Sequence, residues 1–459
     1  MDYKSCKPFS GRCIRCSGLV YFLALLIFFC FPLHAKAEHI ICIDPGHGGE
    51  NMGAEYLGAE LPPELSGVTE KTLTLITALA MRDRLLQYDD VQVIMTRTED
   101  LDLSLEERAL IAKENGAEFL FSIHYNASAS MRLYGSEVWI SAFGREYVEG
   151  RKFAEIETKA LESLGLVDRG VKTRLSDQTG VDYYGIIKHS REAEIPAVII
   201  EHCHLDQPTD YEFYNSKEKL VRFGELDADC VAEYLGLSSS TLGIDHSGRV
   251  LPDIPEPITP VSQDRTDPDF CMVKVLEEDP ENASVLVEIS AEDSDGILTY
   301  YTVSFNGGET ESDYIPWPKG KDTIRVKLHV PEGIAPMLTI TAYNNYDLDC
   351  ASEAIPLISV ARAHEEAAEQ EAVPGAGDKT EDPVLEGQEL NPSEEHPDPD
   401  AYSRWAPPKK EDEVTEDRFL YFLEVSLVVV LLLFSMLLLT LFVGMLSKSK
   451  KKKRRKEQY

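Results

Sequence analysis

Short apolar runs alternate with longer amphipathic stretches over residues 38–237, and that alternation predicts an α/β domain. Strands are expected at 39–44, 91–95, 119–123, 138–141 and 197–200. Helices are expected at 70–87, where Leu75, Leu79 and Leu86 share a face, and from Ser104, which forms a capping box with Glu107, to about 115. Two more are expected at 146–164 and 216–235. Residues 238–265, rich in Ser and Pro, read as a linker. Strand-like alternation returns over 266–358, with its best strands at 284–291, 298–305, 323–330 and 337–343 and a turn at Asn306-Gly307-Gly308. This second segment predicts a small β-sandwich acting as a spacer.

The Thr341-Ala342-Tyr343-Asn344-Asn345 run in that segment resembles the immunoglobulin-like modules of bacterial surface proteins. The flanks have a different texture. Residues 359–418 are acidic, rich in Pro and Ala and poor in aromatics, which predicts a disordered tether. Residues 419–446 read as a transmembrane helix, because 425–446 hold no charge over a length able to cross a bilayer of about 30 Å. The basic tail 447–459 should stay cytoplasmic. Residues 1–37 read as a secretory signal: Lys4, Lys7, Arg12 and Arg15 precede an apolar run at 19–33, and Ala35-Lys36-Ala37 fits a cleavage site. An uncleaved anchor is the alternative. Either way, the catalytic and β domains are expected outside the cytoplasm on a single-pass membrane protein. The net charge of -35 excludes nucleic acid as a partner. Outside the signal lie Cys42, Cys203, Cys230, Cys271 and Cys350; Cys271 and Cys350 flank the β segment and are a candidate bridge.

Polar residues end three apolar strand runs: His47, in Asp44-Pro45-Gly46-His47-Gly48-Gly49, then His124, then Glu201. In open α/β sheets the active crevice lies at the carboxyl ends of strands. Two histidines and a carboxylate there suit a metal, and a hydrolytic zinc wants three protein ligands and one open position. Glu70, opening a helix, is the expected third ligand, with Glu60 and Glu64 as alternatives. Glu201 is then free to act as general base. Glycines around His47 allow close backbone approach, and no P-loop lysine or dinucleotide fingerprint follows them.

The segments Ile43-Asp44-Pro45-Gly46-His47-Gly48-Gly49, Thr69-Glu70-Lys71-Thr72-Leu73, Met95-Thr96-Arg97, Ser104-Leu105-Glu106-Glu107-Arg108, Ser122-Ile123-His124-Tyr125-Asn126-Ala127 and Pro196-Ala197-Val198-Ile199-Ile200-Glu201 occur in that order. Together they resemble the zinc-dependent N-acetylmuramoyl-L-alanine amidases of amidase type 3, over residues 39–237. The resemblance implies a mixed sheet covered by helices on both faces. It also implies Zn2+ on His47, Glu70 and His124, Glu201 as catalytic carboxylate, and cleavage of peptidoglycan between N-acetylmuramic acid and L-alanine. The chain departs from the pattern in a longer segment between Gly49 and Glu70, in Tyr125 where a small residue is usual, and in His202-Cys203-His204 after Glu201. Those last histidines could line the groove, bind metal or be structural. A zinc peptidase or deacetylase acting on the wall is the competing enzyme reading, and a catalytically inactive wall-binding protein is the competing non-enzyme reading.

Overall fold

The computed structural model describes residues 39–54, 69–331 and 336–360. The expected signal, transmembrane helix and basic tail, the alternative ligands Glu60 and Glu64, and nearly all of the expected tether lie outside those residues. Among the described residues no helix is long and apolar enough to cross a membrane.

The α/β unit is built on six strands: β1 (His39–Pro45), β2 (Val91–Met95), β3 (Phe119–Asn126), β4 (Ser136–Ile140), β5 (Asp168–Lys172) and β6 (Ala197–His204). Their order across the sheet is β2-β1-β3-β6-β4-β5. The first four in that order run parallel, β4 is antiparallel to β6, and β5 is parallel to β4, so the sheet is mixed as expected. Six helices connect the strands: α1 (Glu70–Leu85), α2 (Leu105–Glu114), α3 (Gly144–Ser163), α4 (Gly185–Glu192), α5 (Pro208–Tyr214) and α6 (Lys217–Leu235). The capping box at Ser104 and Glu107 starts α2, and Gly236 ends α6 in the left-handed conformation at φ 70°.

Alternation along β3 divides the core. Phe119 and Phe121 meet Phe153 of α3, and Phe119 meets Tyr234 of α6. On the other face Leu120 packs with Ala112 of α2 and Ile186 and Ile187 of α4. Each of these large side chains contributes about 1.5–3 kcal/mol by leaving water. The chain leaves β1 through α1 to β2 on one side, then returns through α2 to β3 on the other. That reversal places a crevice beyond the carboxyl ends of β1 and β3.

The second segment forms two antiparallel sheets. One is formed by β7 (Phe270–Asp279), β8 (Ser284–Glu292) and β10 (Thr323–His329), in the order β10-β8-β7. The other centres on β9 (Leu298–Ser304) and β11 (Met337–Asn344). Val285, Val287 and Ile289 of the first sheet share one core with Val303, Leu338 and Ile340 of the second. Cys271 and Cys350 are free thiols, which corrects the expected bridge. The Cys271 thiol instead donates to the Ile340 carbonyl at 3.5 Å.

This β unit is wedged against β5 instead of standing off as a spacer. Tyr134, Tyr300 and Tyr343 form one buried cluster, Arg132 lies 4.3 Å over the Tyr314 ring, and Lys319 bonds Glu162 and Asp168. The Tyr346 hydroxyl donates to the Thr173 carbonyl and accepts from the Thr173 N–H, each at 3.0 Å. Part of the expected linker is tied down too: Val261 N–H donates to the Ala142 carbonyl, and the Gln263 carboxamide accepts from Leu175 N–H.

Candidate metal centre

The loop after β1 is held by two buried arginines. Arg97 donates to the carbonyls of Pro45, Gly46 and Lys71. Arg108 donates to the carbonyls of Pro45 and His47 and forms an ion pair with Asp44 at 2.8 Å. Thr96 and Ser122 hydroxyls also donate to the Asp44 carboxylate. Burial alone would raise the Asp44 pKa, but the Arg108 charge and these donors outweigh it and hold the carboxyl below its ordinary value. Such a frame is needed because His47 sits at φ 61°, a left-handed conformation that costs an L residue about 1–2 kcal/mol. Gly46 has no room for a side chain: a Cβ there would lie 2.4 Å from the His124 ring.

Glu70 joins the two histidines. It opens α1, is 3% exposed, and its carboxylate lies 3.0 Å from His47 Nε2 and 2.9 Å from His124 Nδ1. Backbone N–H groups of Ala54 and Tyr125 donate to the same carboxylate and fix its plane. Burial pushes Glu70 up, yet the hydrogen bonds from His124 and His47 prevail and hold it well below the usual carboxylate range. His47 Nδ1 faces the Asn51 side-chain oxygen at 3.0 Å, which leaves Nε2 turned toward Glu70. The ligand atoms of His47, Glu70 and His124 all lie within 4.8 Å of one another. This donor set fits a catalytic zinc: two imidazoles and one carboxylate, with a hydrogen-bonded partner behind one imidazole.

Glu201 stands beside this cluster on β6, where it is the register partner of His124 on β3 and of Glu137 on β4. Both His124 and Glu201 lie within their strands, which run on for two and three residues respectively, whereas the apolar runs alone predicted ends just before them. The Glu201 Oε2 is buried with no hydrogen-bond partner among the described residues. Burial, then the negative charges of Glu70 and Glu137, raise its pKa well above the ordinary carboxylate value. Glu137 went unnoticed in the sequence. It is buried, accepts from Asn126, Trp139, Arg169 and Lys172, and stays ionised because those cations overcome its burial.

His202 and His204 do not join the cluster, nor do they point the same way. The β3–β6 register shifts between His124 and Asn126, so two steps on β3 match three on β6, and this bulge splits the pair. His202 turns into the core, bonded to the His124 carbonyl and to Asp227 of α6. Its ring stacks on Tyr125 with centroids 5.2 Å apart. Two of the departures from the family pattern, at Tyr125 and at His202, are therefore one packed pair. His204 comes out beside Glu137 and lies 3.1 Å from the Gly135 carbonyl through Nδ1; burial and the Arg169 charge push its pKa down to about 3, so it is neutral.

The α/β sheet thus brings a His–Glu–His donor set able to hold a metal ion to its switch point, with a carboxylate on the next strand. Residues 41–233 match the family described as N-acetylmuramoyl-L-alanine amidase. The amidase CwlM of Bacillus licheniformis is 32% identical over 206 residues, covering 44% of this chain and 72% of that protein. The sporulation-specific N-acetylmuramoyl-L-alanine amidase of Bacillus subtilis is 32% identical over 172 residues, 37% of this chain and 58% of that one. Among solved structures, the catalytic domain of the amidase CwlV from Bacillus (Paenibacillus) polymyxa var. colistinus aligns at 28% identity with a TM-score of 0.35, covering 43% of this chain and 98% of that one. The chain belongs to the N-acetylmuramoyl-L-alanine amidase family.

Proposed function

We propose that the chain is a zinc-dependent amidase that hydrolyses the bond between N-acetylmuramic acid and L-alanine in peptidoglycan. The observation that carries this is the convergence of His47, Glu70 and His124 in a member of the amidase family. Those three residues would hold the zinc, and zinc bound there supplies Lewis acidity toward water and the scissile carbonyl. Glu201 takes the proton from the attacking water and passes it to the amino group of L-alanine as the C–N bond breaks. Its raised pKa suits a group that must hold the proton between the two transfers. Glu137 stays anionic and keeps a second negative charge beside Glu201, which favours the protonated state between the two transfers.

Product analysis tests the reading. Purified peptidoglycan incubated with the full-length chain should gain amino-terminal L-alanine, and a chelator should stop it. New amino termini within the stem peptide would make the chain a peptidase instead, and released acetate would make it a deacetylase. Binding without any product would leave a wall-binding protein.

The placement belongs to the same proposal. A signal at 1–37, a tether at 359–418, a span at 419–446 and a cytoplasmic tail at 447–459 put both folded units outside the cytoplasm within reach of the membrane. The supporting features are the uncharged run at 425–446 and the basic cluster after it. Removing residues 425–459 should release activity from the membrane fraction. The β unit is read as an immunoglobulin-like module on its two-sheet core.

A further inference from the structure

The peptide unit that joins His124 to Tyr125 is gripped at both ends. Its N–H donates to the Glu70 carboxylate at 3.1 Å, on the oxygen that also faces His124 Nδ1. Its carbonyl lies 3.0 Å from His202 Nδ1, and because a carbonyl only accepts, that nitrogen carries the hydrogen. One planar unit therefore connects a buried imidazole on β6 to the carboxylate that His47 and His124 share.

His202 is itself held from several sides. Its Nε2 lies 3.1 Å from both oxygens of Asp227 on α6. Its ring stacks on Tyr125 and packs against Phe223, with centroids 4.8 Å apart in the second contact. The Tyr125 hydroxyl reaches Thr77 at 2.6 Å, on the helix that Glu70 opens. Asp227 in turn meets Glu157 of α3. Burial, then the Asp227 charge, raise the Glu157 pKa well above the ordinary value, so Glu157 keeps its proton and donates to Asp227. A line of contacts thus runs from Glu157 through Asp227, His202 and the peptide to Glu70.

Packing alone does not account for this line. His202, Asp227 and Glu157 are each 0% exposed, and an apolar filling of the same volume would avoid the desolvation that burying them costs. The imidazole meets the peptide where the β3–β6 register slips between His124 and Asn126, so a side chain braces the strand at an interruption of the ladder. Hydrogen bonds in a buried chain polarise one another, so the donor on the carbonyl strengthens the N–H bond to Glu70. We infer that His202, anchored by Asp227, is a positioning residue for the metal centre: it orients the His124–Tyr125 peptide and, through it, the plane of the Glu70 carboxylate. That the centre holds zinc rests on the amidase reading; the grip on the peptide does not.

Two substitutions in the full-length chain separate positioning from packing. His202→Leu keeps the volume and removes the donor, whereas His202→Asn puts an amide N–H where Nδ1 stood; both lose the Asp227 contact. In competition with a chromogenic chelator, His202→Leu should bind zinc about tenfold more weakly than wild type, still at one ion per chain, and His202→Asn should recover most of that loss. A second readout needs no metal. Hydrogen exchange at the Tyr125 amide should quicken about tenfold in metal-free His202→Leu and return toward wild type in His202→Asn, with other amides of β3 unchanged. If His202→Leu does not fold, Asp227→Asn takes its place and should lose about threefold in zinc affinity. Wild-type zinc affinity in the folded variant, or equal losses in His202→Leu and His202→Asn, would overturn the inference. So would a folded variant that takes up no zinc, which would make His202 a ligand. Donor-dependent exchange in a wild type that binds no zinc would refute the metal reading and leave the positioning role standing. Zinc uptake with affinity and exchange blind to the donor would do the reverse.

Discussion

Two pairs of histidines lie on or beside the same sheet, and among the described residues only one pair makes a candidate metal site. His47 comes from the loop after β1 and His124 from β3, and each turns a ring nitrogen onto the shared carboxylate of Glu70. His202 and His204 are neighbours in sequence, yet a bulge sends one to Asp227 in the core and the other to the Gly135 carbonyl. Residue type and proximity along the chain favoured the second pair at least as much as the first. What separates them is convergence: a ligand set needs nitrogens that meet at one point, and spacing along a strand controls that only while the pleat is regular.

The comparison is sharpest where it concerns catalysis. Glu201→Gln should lower kcat on peptidoglycan by about 10²–10⁴-fold while zinc content stays at the wild-type level; a variant with near wild-type turnover would remove Glu201 from the mechanism. Next in size is the frame. Arg108→Ala strands the buried Asp44 carboxylate and should cost about 3–5 kcal/mol in urea denaturation. The same contact predicts an acid dependence in the wild type. A carboxyl held below its ordinary pKa stabilises the fold above the unfolded value of about 3.9, and that contribution is lost as pH falls through the lower folded value. The urea midpoint should therefore drop on acidification below about pH 4, and a midpoint that rises there would contradict the sign.

Smaller effects distinguish the two histidine pairs directly. His202→Ala should cost about 1–3 kcal/mol of stability, through the unpaired Asp227, without loss of zinc; loss of the metal from a folded His202→Ala protein would place His202 among the ligands. Asn51→Ala removes the partner of His47 Nδ1 and should weaken zinc binding by about 10–100-fold in competition with a chromogenic chelator. An unchanged affinity would mean that the Asn51 contact does not orient the ring.

Much of this centre was legible in the sequence because its parts are local signals. A glycine-rich turn after an apolar run, a glutamate opening a helix, and polar residues at the edges of two apolar strands are each visible in a few adjacent residues, and family order joined them. The motif residues Thr96, Arg97 and Arg108 were visible as well, but not their task. Only the folded chain brings Arg97 and Arg108 onto the carbonyls of the loop that carries His47. Strand β5, the short helices α4 and α5, and strand β7 were missed for a related reason. Asp-Arg-Gly-Val-Lys in β5 has little apolar character, and it is buried because Glu137 and the β unit supply partners for Arg169 and Lys172. The grip on the His124–Tyr125 peptide is the least legible feature, since it is assembled from residues as distant in sequence as Tyr125 and Asp227.

Zinc analysis of the purified full-length chain tests the centre most directly. The account predicts one zinc per wild-type chain and a folded Glu70→Ala variant that retains none after dialysis against a weak chelator. A Glu70→Ala protein that keeps a full equivalent of zinc at wild-type affinity would contradict it.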